Sequence, residues 1–305
     1  MTDKLASVSI ENSNDRTLIE LPTEMLTEII KRVNPINRLA LRKVCRILRK
    51  IVDENPGVES VTSAVDDLSL TTRNLTGNFC VTYGIQGSGC LISSDYCCTK
   101  YIEKPRLMMK LDDLTVILKN PRQRLDDLNI FGGSDSVAVA TWFRDTFNPE
   151  NMLHTKKVFL GNLEFNDVIT IISTLKPGFL QKIDYASLLQ HERSHEVFEL
   201  EQWKQAKEVI SPMSSFRSFP IENMFHLSRF WLGFPGLSIS DAIKIRDILL
   251  KSAHFKNGII DLKDEMTPEV ARVFNPNFSA HNINGIKNKI DRFLVIIYER
   301  RLAIN

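Results

Sequence analysis

Residues 20–53 read ELPTEMLTEIIKRVNPINRLALRKVCRILRKIVD. Pro22 suits the first turn of a helix, where a missing N–H costs nothing, and Glu24 sits at the positive end of the helix dipole. Behind them Met25, Leu26, Ile29, Ile30 and Val33 recur at three- and four-residue spacing as one apolar stripe. Thr23, Thr27, Glu28, Lys31 and Arg32 fill the opposite side. Asn34-Pro35 ends this helix, because a residue before proline is pushed out of the helical region. Leu39, Leu41, Val44, Cys45, Leu48, Ile51 and Val52 then build a second stripe up to Asp53. The pattern predicts two short helices, and a segment of about 33 residues cannot hide both stripes in itself and stand alone. Such a face needs a partner.

Composition bounds the rest. At 305 residues the chain has room for about two domains, and 43% hydrophobic with 25% charged residues is ordinary for a globular protein. A net charge of +2, from 39 basic and 37 acidic side chains, gives no global attraction to nucleic acid or membranes. No apolar run approaches the roughly 18 residues of a membrane span, and the first 17 residues lack the charged start and apolar core of a signal peptide. These features predict an intracellular protein, cytoplasmic or nuclear. Five cysteines, among them Cys80, Cys90, Cys97 and Cys98, fit reduced thiols in such a compartment.

The opening segment resembles an F-box. That pattern begins with Leu-Pro-x-Glu and closes around Arg-x-Val-Cys-x-x-Leu-Arg, and here its places are filled by Leu21, Pro22, Glu24, Met25, Ile29, Val33, Arg42, Val44, Cys45, Leu48 and Arg49. Asn37 stands where an aspartate is common, and Leu48 where tryptophan is frequent. Asparagine still caps a helix. The resemblance implies that Leu21, Pro22, Met25, Ile29, Val33, Leu39, Val44, Cys45 and Leu48 contact a Skp-family adaptor, which docks on a cullin. The chain would then be the substrate-receptor subunit of an SCF-type ubiquitin ligase, non-enzymatic and without a cofactor, with its C-terminal part holding a target protein. Two alternatives stand beside it: an F-box scaffold or regulatory module not linked to degradation, and an ordinary hairpin of the core.

Residues 1–17 are polar and expected to be disordered; the F-box-like module spans 18–57 and ends in the turn chemistry of Asn55-Pro56-Gly57. Residues 58–104 carry short β-prone runs, such as Phe79–Tyr83 and Cys90–Ile92, between glycines, and predict a hairpin or meander. From 105 to 305 strand-like and helix-like pieces alternate. Strand centres near Leu128, Val158, Ile183, Phe219 and Ile260 suggest a leucine-rich-repeat-like α/β solenoid with a concave parallel sheet, a compact α/β domain being the alternative. Residues 105–265 also resemble the FTH domain, catalogued too as a domain of unknown function, which follows the F-box in nematode F-box A proteins. Lys157–Leu160, Leu175–Leu180, the Gln202-Trp203-Lys204 run ending at Lys207, Ser240-Asp241 and Ile248–Ser252 with Phe255 carry the likeness.

Other chemistry reads weakly. His191-Glu192-Arg193-Ser194-His195 spells the HExxH of zinc peptidases, but Arg193 and Glu196 are charged where such helices are apolar, and Glu201 replaces the third histidine of the long motif. Cys80, Cys90, Cys97 and Cys98 form no Cys-x-x-Cys pair, so no metal site is assigned. Trp142, Trp203 and Trp231 sit in apolar contexts read as helical and packed. Lys31, Arg32, Arg38, Arg42, Lys43, Arg46, Arg49 and Lys50, with no acid among residues 31–50, leave a basic-helix nucleic-acid reading open. They equally suit the solvated side opposite the second stripe.

Overall fold

The computed structural model describes residues 18–33, 35–64, 69–74, 77–94, 97–186, 195–212, 220–234, 236–262, 267–276, 293–298 and 301–304. The expectation for residues 1–17 and the strand expected near Phe219 fall outside them, as does the HExxH run except His195.

A 3-10 turn at Leu18–Glu20 leads into three helices, α1 (Thr23–Arg32), α2 (Pro35–Val44) and α3 (Arg46–Glu54). The second stripe, read from sequence as one helix, is two. Cys45 adopts extended backbone (φ −154°, ψ 169°), and the Arg49 N–H donates to its carbonyl at 3.0 Å to close the first turn of α3. Apolar spacing continues across this one-residue break, so periodicity alone does not reveal it.

The chain continues through β1 (Ser60–Ala64), β2 (Ser69–Asn74), β3 (Gly77–Gln86), β4 (Gly89–Ser94) and β5 (Cys97–Ile102). Then follow α4 (Arg106–Leu118), β6 (Leu125–Phe131), α5 (Ser136–Thr146), β7 (Thr155–Gly161), α6 (Phe165–Ser173) and β8 (Lys182–Ala186). After α7 (Glu196–Glu199) and α8 (Glu201–Lys204) come β9 (Glu208–Ser211), β10 (Arg229–Phe234), α9 (Ile239–Lys251), β11 (Asn257–Leu262), α10 (Pro268–Phe274), β12 (Phe293–Tyr298) and β13 (Arg301–Ile304).

These strands, 13 among the described residues, form one sheet in the order β13-β12-β11-β10-β9-β8-β7-β6-β1-β2-β3-β4-β5. β1 and β6 to β11 run parallel to their neighbours, while β1 to β5 and β11 to β13 are joined antiparallel. Residues 58–104 are therefore more than a connection: β1 pairs directly with β6 and carries the same sheet onward.

Register-matched residues Val61, Leu128, Val158, Ile183, Val209 and Phe230 form one buried row across six parallel strands. Their side of the sheet packs against helices that contribute Leu114, Phe143, Val168, Ile171 and Ile245, all fully buried. The other side alternates to half-buried or exposed residues, the period-two signature of a sheet with one open face.

From Leu128 the steps along this row to Val158, Ile183, Val209 and Phe230 are 30, 25, 26 and 21 residues, more even than sequence suggested. The difference comes from β9 and β10, which sequence reading missed. Residues 200–210 hold a single turn of helix, α8, followed by the strand β9. Trp231, expected in a helix, lies on β10 on the open face.

One buried charge in this frame has a measurable consequence. Lys110 on α4 is buried and its Nζ donates to the carbonyl of Ala64 at the end of β1. Burial pushes its ammonium down to about 8. Between about pH 8 and about pH 10 the unfolded chain keeps a proton that the folded chain has released, so stability rises with pH across that window. Denaturant titrations at several pH values should show this rise in the wild type and a flatter profile in Lys110→Met. Nearby, the Tyr83 hydroxyl on β3 donates to Asp113 on α4 at 2.6 Å, and burial raises both groups above their usual ranges.

Candidate functional site

The three N-terminal helices have their own small core, separate from that of the sheet. Leu26 and Ile30 from α1 meet Leu48, Ile51 and Val52 from α3, with Leu21, Leu41 and Cys45 half-buried against them. This consumes one edge of each apolar stripe. The other edge is left in solvent: Met25, Ile29, Val44 and Ile47 are exposed, Val44 at 66% and Met25 at 52%, as are Leu18 and Ile19 in the turn before α1. Met25 and Ile29 lie one turn apart on α1, while Val44 ends α2 and Ile47 opens α3. Exposed large apolar side chains at this density on one short module mark an interaction surface.

The nine residues expected to contact an adaptor divide accordingly. Pro22, Met25, Ile29 and Val44 are exposed; Leu21, Val33 and Cys45 are half-buried. Leu39 lies on α2, with its side chain outside the described residues. Leu48 is a correction: at 2% exposure it belongs to the module's own core and supports the outer face from beneath. Ile47, its neighbour, holds the exposed position that sequence reading did not select.

The basic residues of this module also divide. Arg38 is not on a solvated side: it is 2% exposed, and its guanidinium donates to the carbonyls of Lys31 (2.7 Å), Val33 (2.9 Å), Asn55 (2.8 Å) and Pro56 (2.9 Å). It thereby ties the end of α1 to the exit of α3. Gly57 follows with φ +62°, and a Cβ there would stand 2.0 Å from the Arg38 Nη1, so backbone conformation and space both demand glycine. Arg42 is paired with Asp53 at 2.6 Å, an interaction that raises its already high pKa, and Lys31 is paired with Glu28 at 2.7 Å. Arg49 donates to the Arg42 carbonyl at 3.2 Å, and with four of eight cations so engaged the module is a poor continuous grip for a phosphate backbone.

Among the described residues, no three His, Cys, Asp or Glu side chains gather as metal ligands, and no helix is long and apolar enough to cross a membrane. The side chains of Cys97 and Cys98 lie outside the described residues.

Comparison with known proteins agrees with this division of the chain. Residues 18–57 match the F-box domain model, and residues 137–277 match that of the FTH domain. F-box A protein 224 of Caenorhabditis elegans is 25% identical over 280 residues, which cover 87% of this chain and 71% of that protein. A helical F-box whose outer apolar edge stands free, an FTH domain on the large sheet behind it, and a likeness running along most of the chain place this protein among the nematode F-box A proteins.

Proposed function

We propose that this protein is the substrate-receptor subunit of an SCF-type ubiquitin ligase. Its F-box binds a Skp-family adaptor, and through it a cullin, and its sheet domain binds a target protein. The observation that carries the reading is the exposed apolar edge of Leu18, Ile19, Met25, Ile29, Val44 and Ile47 beside a core that has five buried apolar side chains among the described residues. A module this small presents such an edge to be covered. The chain performs no chemistry in this reading. It raises the local concentration of target near a conjugating enzyme, so catalysis belongs to its partners.

The repeat of strand and helix from β6 to β11 supports reading the receptor domain as a leucine-rich-repeat-like solenoid, whose open sheet face is the target-binding surface. Phe131, Phe159 and Trp231 stand on that face. Along one end of the strands runs a charged row in which Asp127 pairs with Arg73 (3.2 Å) and Lys157 (3.4 Å), and Lys182 with Glu208 (3.0 Å). Aromatic anchors beside fixed charges are a usual composition for a protein interface.

Co-expression with a Skp-family adaptor tests the adaptor half. The full chain should co-purify with the adaptor as one complex, and Met25→Glu with Ile29→Glu should release it. Phe159→Glu with Trp231→Glu on the open sheet face should leave adaptor capture unchanged. Loss of capture by both double variants would mean that the two surfaces are not separable.

A further inference from the structure

Where the F-box meets the sheet domain, α3, the chain leading to β1, and α4 with the loop after it line a half-open cavity of about 640 Å³. Its volume lies within the range of small-molecule sites. The apolar part of the wall comes from Val52, Val58, Val116 and Ile117. The charged part is strongly unequal: Arg38, Arg42, Lys50, Lys119 and Arg122 against Asp53 and Glu54.

The two acids are already spent on Arg42 (2.6 Å) and, more loosely, Arg122 (3.8 Å), while Arg38 is occupied by backbone carbonyls. Lys50 and Lys119, one from each side of the seam, are exposed lysines that face no acid across it other than these. Behind the wall Gln123, 2% exposed, donates its amide nitrogen to the Val58 carbonyl and ties the loop after α4 to the approach to β1.

We propose that this seam binds a nucleotide-sized phosphate ester, with a phosphate held between Lys50 and Lys119 and an apolar ring against the wall of Val52, Val58, Val116 and Ile117. Lysine ammonium groups act as point charges for phosphate, and neither needs to break an existing ion pair. Because the two lysines come from different units, an occupied cavity links the F-box to the receptor domain. The ligand would thus hold an adaptor-bound F-box and a target-bound sheet in fixed relation.

The test is calorimetric titration and thermal unfolding of the full chain with AMP, GMP, CMP and UMP. The corresponding nucleosides and inorganic phosphate serve as comparisons. At least one monophosphate should bind and raise the unfolding temperature, and its nucleoside and inorganic phosphate should each bind at least about tenfold more weakly. Lys50→Gln with Lys119→Gln, both at exposed positions, should weaken the monophosphate at least about tenfold without lowering the ligand-free unfolding temperature. Lys251→Gln with Lys256→Gln, elsewhere on the surface, should not change it. Absence of binding by all four monophosphates, or equal binding by the two double variants, would overturn the site.

Discussion

Replacing Val44 and Ile47 together by aspartate is expected to weaken adaptor binding by at least about 100-fold while leaving the chain folded. Both side chains stand at the corner between α2 and α3 and are at least half exposed, Val44 at 66% and Ile47 at 50%. Aspartate there meets water in the free protein and costs little. In a complex that buries the corner, two carboxylates would be desolvated without partners, which is far more costly than the loss of two apolar contacts. Circular dichroism and thermal unfolding should match the wild type, and titration with the adaptor should show the loss.

Arg38→Met should have the opposite signature. Methionine fills similar space but leaves the carbonyls of Lys31, Val33, Asn55 and Pro56 without the guanidinium that now receives them. Unsatisfied buried groups of this kind cost about 1–3 kcal/mol each, with overlap among them, so the module should lose about 3 kcal/mol or more. That is a large part of what holds a unit whose core has five buried apolar side chains among the described residues. Hydrogen exchange should show α1, α2 and α3 losing protection while the strands from β6 to β11 keep theirs. Adaptor binding should weaken through unfolding of the module. Uniform loss across the sheet would mean that the F-box and the sheet domain unfold as one unit.

The comparison of Val44, Ile47 and Leu48 shows how far the sequence could be read. Spacing identified the apolar stripes and the Leu-Pro-x-Glu opening identified the module, because both are local. Which edge of a stripe faces its own core and which faces solvent depends on how three helices cross, and this is not local. Leu48 therefore reads like a contact residue and is buried, whereas Ile47, three residues after Val44 and four before Ile51, is exposed. Ile47 keeps the same three- and four-residue spacing to Val44 and Ile51, so it was available to the same reading and was passed over. Arg38 and Gly57 are a similar case: Asn55-Pro56-Gly57 reads as a turn, but its closure by an arginine 17 and 18 residues earlier is a long-range contact.

In the sheet domain, strands centred on Leu128, Val158, Ile183 and Ile260 were legible from β-prone runs between amphipathic helices. β9 was not, for a physical reason. Trp203, Ala206 and Val209 are spaced by three and all buried, as on a helix, although the chain changes from α8 to β9 between them. Equal burial at helical spacing does not require a helix when the chain turns over the edge of a sheet. The exposed apolar edge was thus readable in kind, with Ile47 rather than Leu48 at its corner, and the seam between the units was not readable at all.

The most direct test of the account is the affinity of the full-length protein for a purified Skp-family adaptor at ~0.05 M and ~0.5 M salt. An interface resting on Met25, Ile29, Val44 and Ile47 predicts tight binding that changes by less than about tenfold between the two conditions. No binding by the folded wild-type protein, or binding that collapses at the higher salt as a phosphate contact would, contradicts it.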